Sequence, residues 1–147
     1  MERSVRYQGA IVQEDCLLLI RHQEHVSGRD YWVIPGGGRK EGESEEACVI
    51  REMKEETNLD VEVVRLILDE PHFPGRVYQR ARTFLCRPVG GEAQPGYEPE
   101  PEASQWYGIV ETGWFDLCSE ADWGEKVRRD PITYPLLLKL QAALGYR

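Results

Sequence analysis

The sequence predicts an α/β fold in which a mixed β-sheet packs between helices. Three observations lead there. Runs rich in β-branched and aromatic residues lie on both sides of one strongly helical segment, a second amphipathic helical pattern closes the chain, and Gly- and Pro-rich stretches punctuate them. With 147 residues the chain can bury a sizeable core, and it is expected to form one domain over 1–147.

"VRYQGAIVQED" and "CLLLIRHQE" read as two strands joined by a polar turn at Glu14 and Asp15. "YWVIPGGG" is β-rich until Pro35 and three glycines stop it. Ser44 is the expected N-cap of a helix, and Glu45 and Glu46 place negative charge where a helix N-terminus favours it. Ala47, Ile50 and Met53 recur at helical spacing as the expected buried stripe, and the pattern runs to about Thr57, with Asn58 as a left-handed C-cap. "LDVEVVRLILDE" and "RVYQRARTFLCRPV" are two further strands; in the second, Val77, Gln79 and Ala81 alternate with Tyr78, Arg80 and Arg82. "GGEAQPGYEPEPEAS" is a polar loop, "GWFDL" a short strand and "YPLLLKLQAALG" a C-terminal helix. Trp32 and Trp114 are expected in the core, and His22 and His25 on a surface loop.

Bulk properties narrow the function. A net charge of −8 argues against tight binding to nucleic-acid backbone, which needs clustered Lys and Arg. Cys16, Cys48, Cys86 and Cys118 form no CxxC and have no His at ligand spacing, so zinc is not expected. No secretory leader opens the chain, and its longest apolar runs fall far short of a membrane span. A cytoplasmic protein with reduced thiols is the expectation.

The chemistry concentrates in "GGGRKEGESEEACVIREMKEETNL", residues 36–59. Its glycine loop can bring backbone close to a ligand. In the helix that follows, Glu52, Glu55 and Glu56 lie within about 100° of arc. Like charges so placed repel by roughly 0.2–0.5 kcal/mol per pair, and a bound cation would offset that. Hard carboxylate oxygens suit Mg²⁺, which keeps waters and bridges to phosphates. Glu-rich helix faces are ordinarily solvated surface, so composition alone does not decide. An EF-hand fails for want of its Asp/Asn ladder, and a Walker loop for want of GK[ST].

The ordered spacing does decide. This segment resembles the signature of the Nudix hydrolase family, G-x5-E-x7-R-E-U-x-E-E-x-G-U with U a bulky aliphatic residue. Gly37, Glu43, Arg51, Glu52, Met53, Glu55, Glu56 and Leu59 all fall on it, and the lead-in from Trp32 to Gly37 is similar too. Asn58 replaces the last glycine, a mild departure because Asn also visits the left-handed region.

The resemblance implies an α/β/α sandwich that cleaves a diphosphate linkage in a nucleotide derivative with Mg²⁺ or Mn²⁺. By the motif, Glu55 and Glu56 are the main metal ligands, Glu52 joins them or serves as general base, and the Gly36 carbonyl is a further ligand. Arg51 orients the carboxylates, and Glu43 ties the loop to the helix. In some relatives the base lies on a later loop, where Glu98, Glu100 and Glu102 are candidates and Glu100 is carried as a metal ligand. Arg76, Arg80 and Arg82 are candidates for substrate phosphates or for plain strand-face charge, and Tyr31, Tyr78, Trp106 and Tyr107 for stacking on a base. Pro74 matches a feature of ADP-ribose-hydrolysing members and Tyr78 one of dinucleoside polyphosphate hydrolases. A small nucleotide is the expected partner, with monomer and homodimer both open. Rival readings are a nucleotide-sensing module of the same fold and an RNA-end or dinucleoside polyphosphate hydrolase.

Overall fold

The computed structural model describes residues 4–73, 78–97, 104 and 106–146. Strands β1 (Val5–Gln13) and β2 (Cys16–Glu24) are joined by Glu14 and Asp15, at φ 51° and 64°. Two successive residues with positive φ make the tight turn whose twist suits a hairpin. Then come β3 (Asp30–Val33), β4 (Gly36–Gly37), α1 (Glu45–Thr57), β5 (Asp60–Glu70), β6 (Arg80–Gly90) and β7 (Tyr107–Asp116). A 3₁₀ turn (Glu120–Trp123), α2 (Glu125–Arg129) and α3 (Thr133–Ala143) complete the order.

The seven strands form a mixed sheet with the order β3-β2-β1-β6-β5, with β4 added on β1 and β7 on β2. β1 is its pivot. From Val5↔Arg80 to Ile11↔Cys86 it pairs parallel with β6, while Tyr7 and Gln8 pair antiparallel with Gly37 and Gly36 on its other edge. Only its last residues, Val12 and Gln13, meet β2.

Both faces of the sheet are covered, which makes the fold an α/β/α sandwich. Alternation along a strand sends neighbours to opposite faces. Ile11 and Leu18 join Cys48, Val49 and Met53 of α1 in one core, whereas Ala10, Leu17 and Leu19 join Leu137 and Leu140 of α3 in the other. The continuous apolar run "CLLLI" is thus the mark of a strand buried on both sides.

Helix α1 starts and stops as its sequence directs. The Ser44 hydroxyl accepts from the Ala47 N–H at 3.1 Å, and Asn58 closes the helix at φ 65°. The buried stripe differs from expectation: Cys48, Val49, Glu52, Met53, Glu56 and Thr57 are buried, and Ile50 is exposed. Two further placements are corrected. His22 lies inside β2 at 4 % exposure, stacked on Tyr107, and Trp114 on strand β7 is 40 % exposed. Strand β7 is ten residues long because it pairs with β2 throughout, well beyond "GWFDL". Among the described residues, no helix is long and apolar enough to cross a membrane.

Leu137 is fully buried where α3 meets the sheet. Leu137→Ala is expected to lower stability by about 2–5 kcal/mol, read from the urea midpoint with an unchanged m-value.

Candidate active site

The site is assembled from the glycine strand β4, the loop after it and one face of α1. Gly36 has to be glycine: a Cβ there would sit 2.5 Å from the Tyr7 carbonyl of β1. Three successive glycines are each tied to the helix. The Gly36 N–H donates to Glu56 Oε1 at 3.1 Å, the Gly37 carbonyl accepts from the Cys48 thiol at 3.9 Å, and the Gly38 carbonyl accepts from Arg51 at 3.0 Å.

Arg51 organises the carboxylates. It grips Glu43 with Nε at 2.7 Å and Nη2 at 2.9 Å, and its Nη1 donates to Glu52 at 3.0 Å and Glu55 at 3.2 Å. Glu52 and Glu56 are fully buried on the helix face toward the sheet. The Arg51 hydrogen bonds hold the Glu43 carboxyl down to about 2, and the same contacts raise the guanidinium above its ordinary value. Leu59, the last signature position, is buried in the core beside Met53.

Glu52, Glu55, Glu56 and the Gly36 backbone offer only hard oxygen donors. Among the described residues no three such groups surround one point as a finished metal cage. Arg51 holds one oxygen of Glu52 and one of Glu55 together at 3.0 and 3.2 Å. The donor set still fits Mg²⁺ or Mn²⁺, since Mg²⁺ takes one or two carboxylates and completes its shell with waters and phosphate.

Other predicted residues stand apart from this cluster. Arg80 forms a bidentate pair with Asp69, and Arg82 bridges Asp69 and Glu45, the first residue of α1, at 2.8 Å each. Arg80 holds the Asp69 carboxyl below the usual range. Arg82 therefore also links β6 to the start of the signature helix, a role the alternation of β6 does not signal. Tyr31 lies on β3, its hydroxyl donating to Glu24 and its ring edge against His22. Burial, with the Arg6 charge, pushes the His22 imidazole down to about 3, so it is neutral. Pro74, Arg76, Glu98, Glu100 and Glu102 lie outside the described residues.

An acidic helix tied by its own arginine to the loop after a glycine strand, on one face of an α/β/α sandwich, defines a Nudix-type fold. The chain belongs to the Nudix family: the sequence model of the NUDIX domain matches residues 5–130. It is 36% identical over 114 residues to the NAD-capped RNA hydrolase NudC of Vibrio atlanticus, covering 77% of this chain and 37% of that protein. An RNA pyrophosphohydrolase of Psychromonas ingrahamii is 31% identical over 108 residues, covering 61% of this chain and 59% of that one. The chain spans well under half the length of the first curated relatives it matches, 26% to 37%. Among solved structures, an ADP-ribose pyrophosphatase of Streptococcus suis superposes with a TM-score of 0.63 at 28% identity, covering 99% of this chain and 97% of that one. A Nudix hydrolase of Nitrosomonas europaea reaches 0.70 at 21% identity, covering 99% and 93%, and supports the fold alone.

The Glu43–Arg51 pair sets an acid dependence. The Glu43 carboxyl is depressed from 4.5 to about 2 on folding, so its contribution is complete above pH 4.5 and is lost as the pH falls toward 2. Thermal melts in EDTA should show Glu43→Gln less stable than the parent at pH 6, with the gap closing across that window.

Proposed function

We propose that this chain is a divalent-metal-dependent hydrolase of a diphosphate linkage in a small nucleotide derivative. The observation that carries this is the pair of fully buried glutamates, Glu52 and Glu56, at signature positions and flanking the Arg51 clamp. Burying a carboxylate costs several kcal/mol unless it is compensated, which a protein tolerates where the charge has work to do. A nucleotide-sensing module has no need of the full set, and none of the signature carboxylates is missing.

Glu55, Glu56 and the Gly36 carbonyl are the proposed ligands, joined by Glu52, with Glu100 as a further one. Mg²⁺ or Mn²⁺ held by these residues would neutralise phosphate charge and activate water. Glu52 is also proposed as the base that takes the proton from the attacking water, with Glu98, Glu100 or Glu102 as the alternative. Arg51 fixes the carboxylates so that they need not reorganise as charge develops. Arg76, Arg80 and Arg82 are proposed to face the non-reacting phosphates, for which Arg80 and Arg82 would exchange Asp69 for substrate. Tyr31 is proposed to bear on the base.

The names of the relatives narrow the substrate class. NAD and ADP-ribose both contain an adenosine diphosphate, and "RNA pyrophosphohydrolase" names the same kind of bond at an RNA end. A diphosphate attached to a nucleoside is the common element. The relatives' names favour an RNA 5′ end as a second reading, against which the −8 charge weighs. Four free cysteines suit a reducing compartment, in keeping with a cytoplasmic setting.

A panel of ADP-ribose, NAD, NADH, dinucleoside polyphosphates, nucleoside triphosphates and NAD-capped RNA, each with Mg²⁺, Mn²⁺ or EDTA, tests the proposal. Metal-dependent release of a nucleoside monophosphate is expected. Glu56→Gln should lower kcat by about 100-fold or more with the fold intact by circular dichroism. Wild-type turnover by both Glu55→Gln and Glu56→Gln would overturn the site.

A further inference from the structure

An α-helix leaves its last four carbonyls without partners inside the helix, and something must meet them. In α1 those carbonyls belong to Lys54, Glu55, Glu56 and Thr57, two of them proposed metal ligands. The Lys54 carbonyl accepts from the cap N–H of Asn58 at 3.1 Å. The other three are met by one distant segment. The Gln94 N–H donates to the Thr57 carbonyl at 2.9 Å, the Gly96 N–H to Glu56 at 2.9 Å, and the Tyr97 N–H to Glu55 at 3.2 Å.

The intervening residue is Pro95, which has no N–H to leave unsatisfied. Gly96 runs so close to the helix that an added Cβ would fall on the Glu55 carbonyl oxygen and within 2.9 Å of Glu56 Cα. Upstream, the Asn58 side-chain amide donates to the Glu92 carbonyl at 3.0 Å, and a Cβ on Gly91 would lie 2.7 Å from the Asn58 carbonyl. Asn58 is where the sequence departs from the signature glycine. Glycine could take the same left-handed turn but could not make this tether.

We propose that residues 91–97 are a strap holding the last turn of α1 in place, with Gly96 and Asn58 as positioning residues for the Glu55 and Glu56 carboxylates. The strap fixes the backbone from which both side chains depart, and it does so from outside the signature. A one-residue slip of the strap would leave helix carbonyls bare and move the two carboxylates relative to Glu52.

This inference rests on the metal reading above, and the test separates the two. Mn²⁺ binding followed by the loss of the free-ion electron paramagnetic resonance signal is compared in the parent, Gly96→Ala, Asn58→Gly, Glu56→Gln and Leu137→Ala, alongside amide exchange at residues 94–97. Gly96→Ala should weaken Mn²⁺ binding by about 10-fold or more, as losing support behind a metal ligand does. Asn58→Gly, which keeps the turn and removes one hydrogen bond, should cost about threefold. Leu137→Ala, destabilised far from the strap, should bind as the parent does. The Gln94, Gly96 and Tyr97 amides should be protected in the parent and exposed in Gly96→Ala. Parent-like Mn²⁺ affinity in Gly96→Ala, or equal loss in Leu137→Ala, overturns the strap. If Gly96→Ala does not fold, Asn58→Gly against Leu137→Ala decides. Equal Mn²⁺ binding by the parent and Glu56→Gln sinks the metal reading instead, and the exchange pattern then judges the strap alone.

Discussion

One guanidinium underlies the arrangement of the site. Arg51 has five N–H donors in a rigid fork, and five oxygens receive them: two on Glu43, one each on Glu52 and Glu55, and the Gly38 carbonyl. A lysine could not copy this, having three donors on a flexible stem. The single positive charge faces three carboxylates from different parts of the signature. It thereby ties the glycine loop to the helix, orders the loop's acidic residue and keeps two glutamates from flaring apart. Arg51 and Glu43 are eight residues apart in sequence, yet they make the closest contact in the cluster, at 2.7 Å.

That clamp leaves the site with more negative than positive charge, and two of its carboxylates cannot relax into water. At about 100° per residue, Cys48, Glu52, Glu56, Val49, Met53 and Thr57 occupy a continuous arc of about 180°. Glu52 and Glu56 thus sit inside the face that packs on the sheet, between the thiol of Cys48 and the thioether of Met53. Gly9 of β1 leaves room for Met53, whose sulfur would stand 2.5 Å from a Cβ there. Gly9 lets the helix lie close to β1 and Gly36 lets β4 lie close to it, and together they bring the Gly36 N–H to Glu56. Packing and chemistry are the same contact here.

This is also why the sequence was legible in some places and not in others. Caps, turns and strand pairing depend on a few local atoms, so Ser44, Asn58 and the Glu14–Asp15 turn could be read directly, and the signature spacing located the clamp. The buried stripe could not be read that way. Assigning Ala47 and Ile50 to the core assumes that glutamates face water, and in α1 the glutamates are part of the buried arc. His22 fails for the same reason: burial follows from β7 covering β2, a long-range pairing invisible in "HQEH". Likewise, Gly96 beside Pro95 reads as an ordinary turn in the sequence. Only the fold brings it against the helix end.

The charge distribution finally constrains which ligand the site can accept. The chain carries −8 overall, and two arginines that pair with carboxylates of the signature segment, Arg51 and Arg82, are already engaged. A diphosphate approaching this face meets Glu52, Glu55 and Glu56, with the Arg51 charge already compensated by carboxylates. At an effective dielectric near 20, two like unit charges 4 Å apart repel by about 4 kcal/mol, so an anionic substrate would be turned away unless positive charge arrived with it or before it. On the proposed reading a divalent metal would meet that need, held by the oxygen donors of the helix. The unfavourable cluster of acids and the proposed affinity for a metal-bound phosphate therefore rest on one electrostatic argument, in which Arg51 offsets part of the repulsion.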